Sequence, residues 1–422
     1  MNYEFIYTPY PDLKSALKDL EEKIKSIDFE PNLGIFFLVG DLINHYRDFS
    51  KLLNCNSICM PIEGFITPES IWMRGALLLL LDAKYDLYCF KGSTKKVCRG
   101  LSDLKKYDFY LLIYPVFYLS SRLHALNALI REKIYYRSYR KGNKLALEKA
   151  SEFLEDNIVY PMNKVLRPIR DKGGTAIAFN LFPLKFSYGY PIALNGKNIN
   201  RGLIAICFKE KIKSDYEDTL PERGKSFDET VEILKNELRA LKVVEIDKRG
   251  VALGHVDGLK AVDFVLRERK AEIERDVKED LNSGRFMPAT PYGLCFISEE
   301  TFGVSLLGIL DYPLGIYPCL YDLDKFSIYA LFIAYETIKG GIKDLSKLFR
   351  GKDFDFFAID QNYILMYREN IVKIRELIGD SYGIFTTHPS YTSQSLPCRL
   401  MTEVEKGICI NVTRNISFMK FQ

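Results

Sequence analysis

Apolar and polar positions along the first half of the chain follow two different periods. Apolar residues recur every three or four positions over 12–25, which predicts an amphipathic helix. The run over 33–39 is continuously apolar and has strand length, as expected for a strand covered on both faces. Similar patterns predict further strands over 57–62, 76–81, 86–90 and 109–116, the last three pairing as one sheet, and helices over 121–140 and 146–153. The rhythm is that of an α/β protein.

A hairpin signal and then a change in composition mark the middle of the chain. Asn195-Gly196 lies between apolar runs, which predicts a β-hairpin over 186–208 with a turn reaching Asn200. A charged segment over 211–227 follows and is predicted to be a linker. It would separate a lobe over 1–210 from a lobe over 228–422. One continuous layered fold is the alternative.

Chain length and pattern together predict the fold class. A chain of 422 residues exceeds the roughly 250–300 residues that one hydrophobic core usually serves. We therefore expect a mixed α/β protein with α+β elements, built as two sheet-containing lobes flanked by helices, with β-hairpins.

Composition excludes several classes of protein. A net charge of +4 with both signs interspersed does not indicate nucleic-acid binding. The most hydrophobic run, over 75–81, is far shorter than the roughly 20 residues of a membrane span. The nine cysteines form no disulfide or zinc pattern, and no secretory signal is read, so we expect a cytoplasmic protein without metal or cofactor. Scarce Gln beside abundant Lys and Glu favours a heat-adapted source.

Motifs for nucleotide binding, metalloprotease and serine hydrolase chemistry are missing from the sequence. The candidate ligand site therefore rests on polar residues at predicted strand ends, where a scaffold presents side chains to a small molecule. The candidates are Glu63, Gly173, Gly174, Thr175, Thr386, Thr387 and His388. Gly173 and Gly174 would offer backbone N–H groups to an anion, or would simply end a helix before a strand. His388-Pro389 could equally be a turn that satisfies its own backbone.

Several stretches, in order and over nearly the whole chain, resemble the FIST family, a sensory module of signal-transduction proteins. In the first half they are residues 33–39, 63–66, 173–175, and the span from Tyr190 through Asn195-Gly196 to Arg201-Gly202. In the second half they are residues 244–247, 257–263, 383–387 and 410–413. The chain departs from the family pattern at 359–362 and at 388–390.

The resemblance implies a stand-alone sensory protein that binds a small polar metabolite, such as an amino acid, and signals through a protein partner. A homodimer is also expected. Two alternatives stay open. One is a hydrolase or transferase that uses His388 with a thiol such as Cys398 or Cys409. The other is a scaffold protein without a ligand.

Overall fold

The computed structural model of the chain contains six α-helices and one 3-10 helix whose bounds lie within the residues it describes. These residues are 1–118, 121–181, 192–199, 201–218, 226, 229, 232, 240–260, 292–297, 302–306, 316–318, 322–324, 328–333, 348–360, 374–386, 389–393, 403–405, 408–409 and 415–422. The helices are α1 (Leu13–Ile24), the 3-10 helix Gly40–His45, α2 (Tyr46–Ser50), α3 (Thr94–Asp103), α4 (Arg122–Arg140), α5 (Leu145–Asn157) and α6 (Met162–Asp171).

The strands of the described residues form five sheets. In chain order they are β1 (Asn2–Thr8), β2 (Leu33–Val39), β3 (Asn56–Ile62), β4 (Gly64–Ile66), β5 (Ile71–Trp72), β6 (Ala76–Asp82), β7 (Tyr85–Lys91), β8 (Phe109–Pro115), β9 (Thr175–Leu181), β10 (Ile192–Leu194), β11 (Lys197–Ile199), β12 (Gly202–Phe208), β13 (Ile212–Asp218), β14 (Ala240–Val244), β15 (Ile246–Arg249), β16 (Ala252–Val256), β17 (Leu259–Lys260), β18 (Tyr292–Ile297), β19 (Phe302–Leu306), β20 (Tyr317–Pro318), β21 (Ile328–Ile333), β22 (Phe356–Asp360), β23 (Tyr382–Thr386), β24 (Pro389–Thr392), β25 (Glu403–Glu405), β26 (Ile408–Cys409) and β27 (Asn415–Phe421).

Three large sheets each contain one parallel pair of strands. The first has the order β1-β6-β2-β3-β10-β11, with β2 and β3 parallel. The second has the order β25-β26-β24-β9-β8-β12-β7, with β8 and β9 parallel. The third has the order β13-β27-β22-β23-β4-β5, with β22 and β23 parallel. Two smaller sheets have the orders β14-β21-β18-β19 and β15-β16-β17, with β20 added on β16.

The three large sheets share one hydrophobic core. Phe356 of the third sheet stacks at 5.5 Å, centroid to centroid, on Phe5 and on Phe37 of the first sheet. Phe179 of the second sheet meets the same ring edge-on at 6.3 Å. Phe356 is completely buried. One aromatic ring therefore joins all three sheets.

The first sheet is covered on its other face by helices, which explains why β2 is apolar throughout. Alternate side chains of a strand point to opposite faces. Accordingly Phe37 belongs to the shared core, whereas Phe36 packs with Leu20 of α1 and Phe49 of α2. The Asp12 carboxylate accepts a hydrogen bond from the Ser15 backbone N–H at 2.9 Å and so caps α1.

The structure confirms the mixed α/β class and corrects the predicted strand pairing. The strand predicted over 76–81 pairs with β1 and β2, and β12 separates the other two members of the predicted three-stranded sheet. Asn195 and Gly196 both have positive φ and form a two-residue turn between β10 and β11. The turn is therefore shorter than predicted, and β12 leaves for another sheet.

The strands are not divided between two lobes at the predicted linker. The segment 211–227, predicted as a linker, contains β13, which pairs with the last strand of the chain. Strands β4 and β5 from the first half complete the third sheet, and β24 to β26 from the second half complete the second sheet. The two halves therefore exchange strands, as expected for a continuous layered fold. Of the described helices, none has both the length and the apolar character needed to cross a membrane.

Candidate functional site

The three parallel strand pairs end at the same edge of the fold. The Val116 backbone N–H, just after β8, donates to the Leu181 carbonyl oxygen at 2.9 Å, which joins the ends of β8 and β9. The Glu63 N–H, just after β3, donates to the Phe385 carbonyl near the end of β23 at 3.2 Å. Strand β24 then begins at Pro389, opposite Phe179.

Ligands of open α/β sheets bind outside the carboxyl ends of the strands, because the chain leaves the sheet there and exposes polar groups. We call this region the carboxyl edge. Its described members are Glu63, residues 116–118, residues 180–181, Arg201 and Thr386.

Arg201 is the cation of the carboxyl edge. It directly precedes β12, whose register with β8 places it level with the residue after Pro115. Its guanidinium carbon lies 5.1 Å from the centroid of the Tyr118 ring, a cation–π contact. The Tyr118 ring packs in turn at 4.9 Å on Tyr160, whose hydroxyl donates to the Gly92 carbonyl oxygen at 2.5 Å.

Two polar atoms of this cluster are buried without a hydrogen-bond partner among the described residues. They are the Nε of Arg201 and the hydroxyl of Tyr118. An unsatisfied buried donor costs about 1–3 kcal/mol, so such groups are usually paired with protein, water or a ligand. Both atoms can donate to the same kind of acceptor. The arrangement suits an anionic oxygen, such as that of a carboxylate.

The electrostatics of the cluster keep its aromatic side chains uncharged. Burial raises the pKa of Tyr118 and of Tyr160 well above the ordinary range, although the positive charge of Arg201 opposes the shift. Burial and the same positive charge lower the pKa of His124, whose ring lies 6.4 Å from that of Tyr118. The positive charge of Arg201 therefore faces neutral rings, which favours an anion at this point.

The predicted site residues divide between two ends of strand β9. Glu63 and Thr386 lie at the carboxyl edge, with Thr386 opposite Asp360 as the last residue of β23. Thr387, His388 and Cys398 lie outside the described residues. Cys409 lies in β26, opposite Tyr391.

The other end of β9 holds the remaining candidates. Thr175 is its first residue, and Gly173 and Gly174 directly precede it. The N–H of Gly173 donates to the Arg170 carbonyl at 2.8 Å, and that of Gly174 to the Ile169 carbonyl at 3.0 Å. These bonds and the positive φ of Gly173 end α6 in the manner of a glycine C-cap. Both amides are engaged, so the structure corrects the idea that they are turned toward an anion. The Thr175 hydroxyl donates to the Ser393 hydroxyl at 3.4 Å.

The sequence did not single out Arg201 or Tyr118 as site residues. The position of Arg201 directly before the fully apolar run over 202–208 was a usable signal for that residue. The residue that precedes a buried strand lies at the edge of the sheet where the strand begins. Tyr118 gave no such signal. Among the described residues, no group of three or more His, Cys, Asp and Glu side chains could hold a metal ion.

A second polar cluster, around Asp86 of β7, is structural in character. The Asp86 carboxylate accepts hydrogen bonds from Lys209 at 2.5 Å and from the Tyr107 hydroxyl, and Lys105 lies 3.3 Å away. These partners, Lys209 first, lower the pKa of Asp86 to about 2. The cluster lines an open depression of about 650 Å³. Its charges are already paired, so it holds β7 to the neighbouring loops.

We expect Asp86→Asn to flatten the acid limb of the stability profile. The folded-state pKa lies below the ordinary 3.8, so ionised Asp86 stabilises the fold above pH 3.8, and this contribution is lost as the pH falls toward about 2. Asparagine does not titrate, so the free energy of unfolding should fall less across this window. Urea unfolding at several pH values measures it. Asp28→Asn, at an exposed loop position, is the matched control. An acid limb equally steep in Asp86→Asn and the unsubstituted protein would contradict the prediction.

Comparison with known proteins identifies relatives of this chain. Residues 228–339 match the family described as AF0772-like protein C-terminal domain. An uncharacterized protein of Archaeoglobus fulgidus is 37% identical over 361 residues, which cover 85% of this chain and 99% of that protein. The relative comes from a thermophilic archaeon, in agreement with the heat-adapted composition. The chain therefore belongs to the family of AF0772-like proteins.

Proposed function

We propose that the protein is a ligand-binding sensory protein of the FIST type, which binds a small carboxylate metabolite such as an amino acid at the carboxyl edge. The observation that carries the proposal is the pair of buried donors, Arg201 Nε and the Tyr118 hydroxyl, without a partner among the described residues. A ligand carboxylate would satisfy both, because it accepts several hydrogen bonds and carries the opposite charge.

Three further features support this reading. Glu63 lies at the same edge and carries the charge that an α-ammonium group would require. Thr386, one of the predicted residues, is the last residue of β23 at this edge. The edge is also built from strands of all three large sheets, so a ligand bound there could change their packing. A protein partner would then recognise the ligand-bound form.

We expect Arg201→Met to abolish stabilisation by carboxylate ligands while leaving the fold intact. Methionine keeps the length and apolar body of the side chain, and removing a desolvated charge from beside tyrosine rings should cost little. In a thermal-unfolding screen of the full chain, an amino acid at about 100 times its dissociation constant should stabilise the unsubstituted protein by roughly 2.7 kcal/mol. The primary amide of the same amino acid, which lacks the carboxylate, should stabilise it much less.

Arg99→Met is the matched control, since Arg99 is an exposed arginine of α3 whose ion pair within the described part of the chain is with Asp103 at 3.9 Å. It should respond to the ligand as the unsubstituted protein does. The proposal fails if no carboxylate in a panel of amino acids and organic acids stabilises the protein. It also fails if Arg201→Met retains the full response.

A further inference from the structure

A further cluster of polar side chains, distinct from the one around Asp86, lies where the end of α4 meets the β15–β16 hairpin. Asp247 and His255 are directly opposite each other in this antiparallel pair, so their side chains share one face. The buried ring of Tyr139 reaches that face from α4. Gly254 makes room for it, because a Cβ there would lie 2.8 Å from the Tyr139 hydroxyl oxygen.

The Tyr139 hydroxyl contacts both neighbours at once. It donates to Oδ2 of Asp247, since an ionised carboxylate can only accept, and its oxygen lies 2.7 Å from Nδ1 of His255. The single hydroxyl proton is used toward Asp247, so Nδ1 of His255 must be the donor in the second bond. This assigns the neutral imidazole its Nδ1–H tautomer and leaves the lone pair on Nε2.

The cluster lines an open cleft of about 600 Å³. Leu145, Leu147 and Ile246 supply an apolar wall. Three cations line the cleft, Lys144, Lys248 and Arg249. Two of them are engaged elsewhere, because Lys248 donates to the Leu323 carbonyl and Arg249 lies within 4.0 Å of Glu148 and Asp324.

Two acceptors of residues that line this cleft therefore remain for a ligand. They are Oδ1 of Asp247, which makes no hydrogen bond or ion pair within the described part of the chain, and Nε2 of His255. Glu148 and Glu245 bring the number of carboxylates in the lining to three. A ligand that matches this arrangement carries positive charge, at least two hydrogen-bond donors and a short apolar body.

We propose that this cleft binds a small organic cation, a primary amine or alkylguanidine, through Asp247 and His255. Tyr139 is a positioning residue, because it fixes the carboxylate and the imidazole tautomer and does not itself need to touch the ligand. The site is separate from the carboxyl edge in the residues that form it. The two proposals can therefore fail independently.

The test uses the full chain with butylamine and butylguanidine as probes. Tetramethylammonium, a cation without donors, and 1-butanol, a donor without charge, are the comparison compounds. Both amino probes should bind in calorimetric titration, and the comparison compounds should bind at least tenfold more weakly. Asp247→Asn should weaken butylamine binding by about tenfold or more, since it removes the negative charge. Asp247 is exposed, so the variant should still fold. Asp28→Asn, the matched loss of one exposed carboxylate, should leave binding unchanged.

Tyr139→Phe tests whether the Tyr139 hydroxyl positions Asp247 and His255 for binding or only stabilises the fold. Nitrogen-15 NMR of the imidazole should show the Nδ1–H tautomer of His255 in the unsubstituted protein and a shift toward Nε2–H in the variant. Butylamine affinity should fall with that shift, and Asp28→Asn should affect neither readout. The proposal is overturned if neither amino probe binds at millimolar concentration, or if tetramethylammonium binds as well as butylamine. Unchanged affinity in both Asp247→Asn and Tyr139→Phe would overturn it as well.

Discussion

Phe356→Ala should destabilise the protein by about 3–5 kcal/mol, the range for removing a fully buried aromatic ring. The ring is completely buried and contacts Phe5, Phe37 and Phe179, which belong to the two other large sheets. Its loss leaves a cavity that three separate sheets would have to close together, and rigid sheets collapse poorly. Urea unfolding followed by circular dichroism measures the change.

Tyr10→Ala is the control for Phe356→Ala, because Tyr10 is 47% exposed. It should change the free energy of unfolding by no more than about 0.5 kcal/mol. Phe5→Ala and the double variant complete a cycle, and a coupling of about 0.5–1.5 kcal/mol is expected for stacked rings. A cost below about 1 kcal/mol for Phe356→Ala would contradict the shared core. It would mean that the three sheets do not depend on this ring for their packing.

Gly75→Ala should be the second strongly destabilising change. Gly75 has φ of +90°, and a Cβ at this position would overlap the backbone carbonyl oxygen of Thr8. The left-handed backbone costs a non-glycine residue about 1–2 kcal/mol. The overlap adds a further ~1–3 kcal/mol, since main-chain atoms of β1 cannot turn aside as a side chain can.

Gly40→Ala distinguishes the two costs. Gly40 has φ of +62°, and no atom of the described residues lies within 4 Å of its Cβ position. We expect it to lose only the conformational part, about 1–2 kcal/mol. Thermal and urea unfolding of the two variants side by side give the comparison. Equal losses would show that the close approach of Gly75 to Thr8 is not a constraint on the fold.

Much of the first half of the fold was predictable, because its elements are defined by local periodicity. The seven residues of β2 are all buried, and the continuous apolar run over 33–39 predicted the strand with the same bounds. Asp12 and the spacing of leucines defined α1 in the same way. Helices α3 and α6 were missed. Their charged residues and the proline inside α6 hide a narrow apolar face.

The candidate site was predictable only in part. Glu63 and Thr386 were recognised as strand ends, and both lie at the carboxyl edge. Gly173 and Gly174 follow a helix and precede a strand in sequence, a context that fits either a ligand loop or a helix cap. Their hydrogen bonds to Ile169 and Arg170 decide for the cap. The contact of His255 with Tyr139 has no signal in the sequence, because the two residues are 116 positions apart.

The sequence by itself determined the class of the protein, the position of its strongest strands and helices, and its lack of nucleotide or metalloprotease motifs. These properties depend on local pattern, which is written in neighbouring residues. Only the tertiary structure decided that the two halves exchange strands, that three parallel pairs end together, and that Arg201 meets Tyr118 there. The physical reason is that strand partners are chosen by hydrogen bonding and packing between distant segments. A strand carries the same apolar pattern whichever sheet it joins.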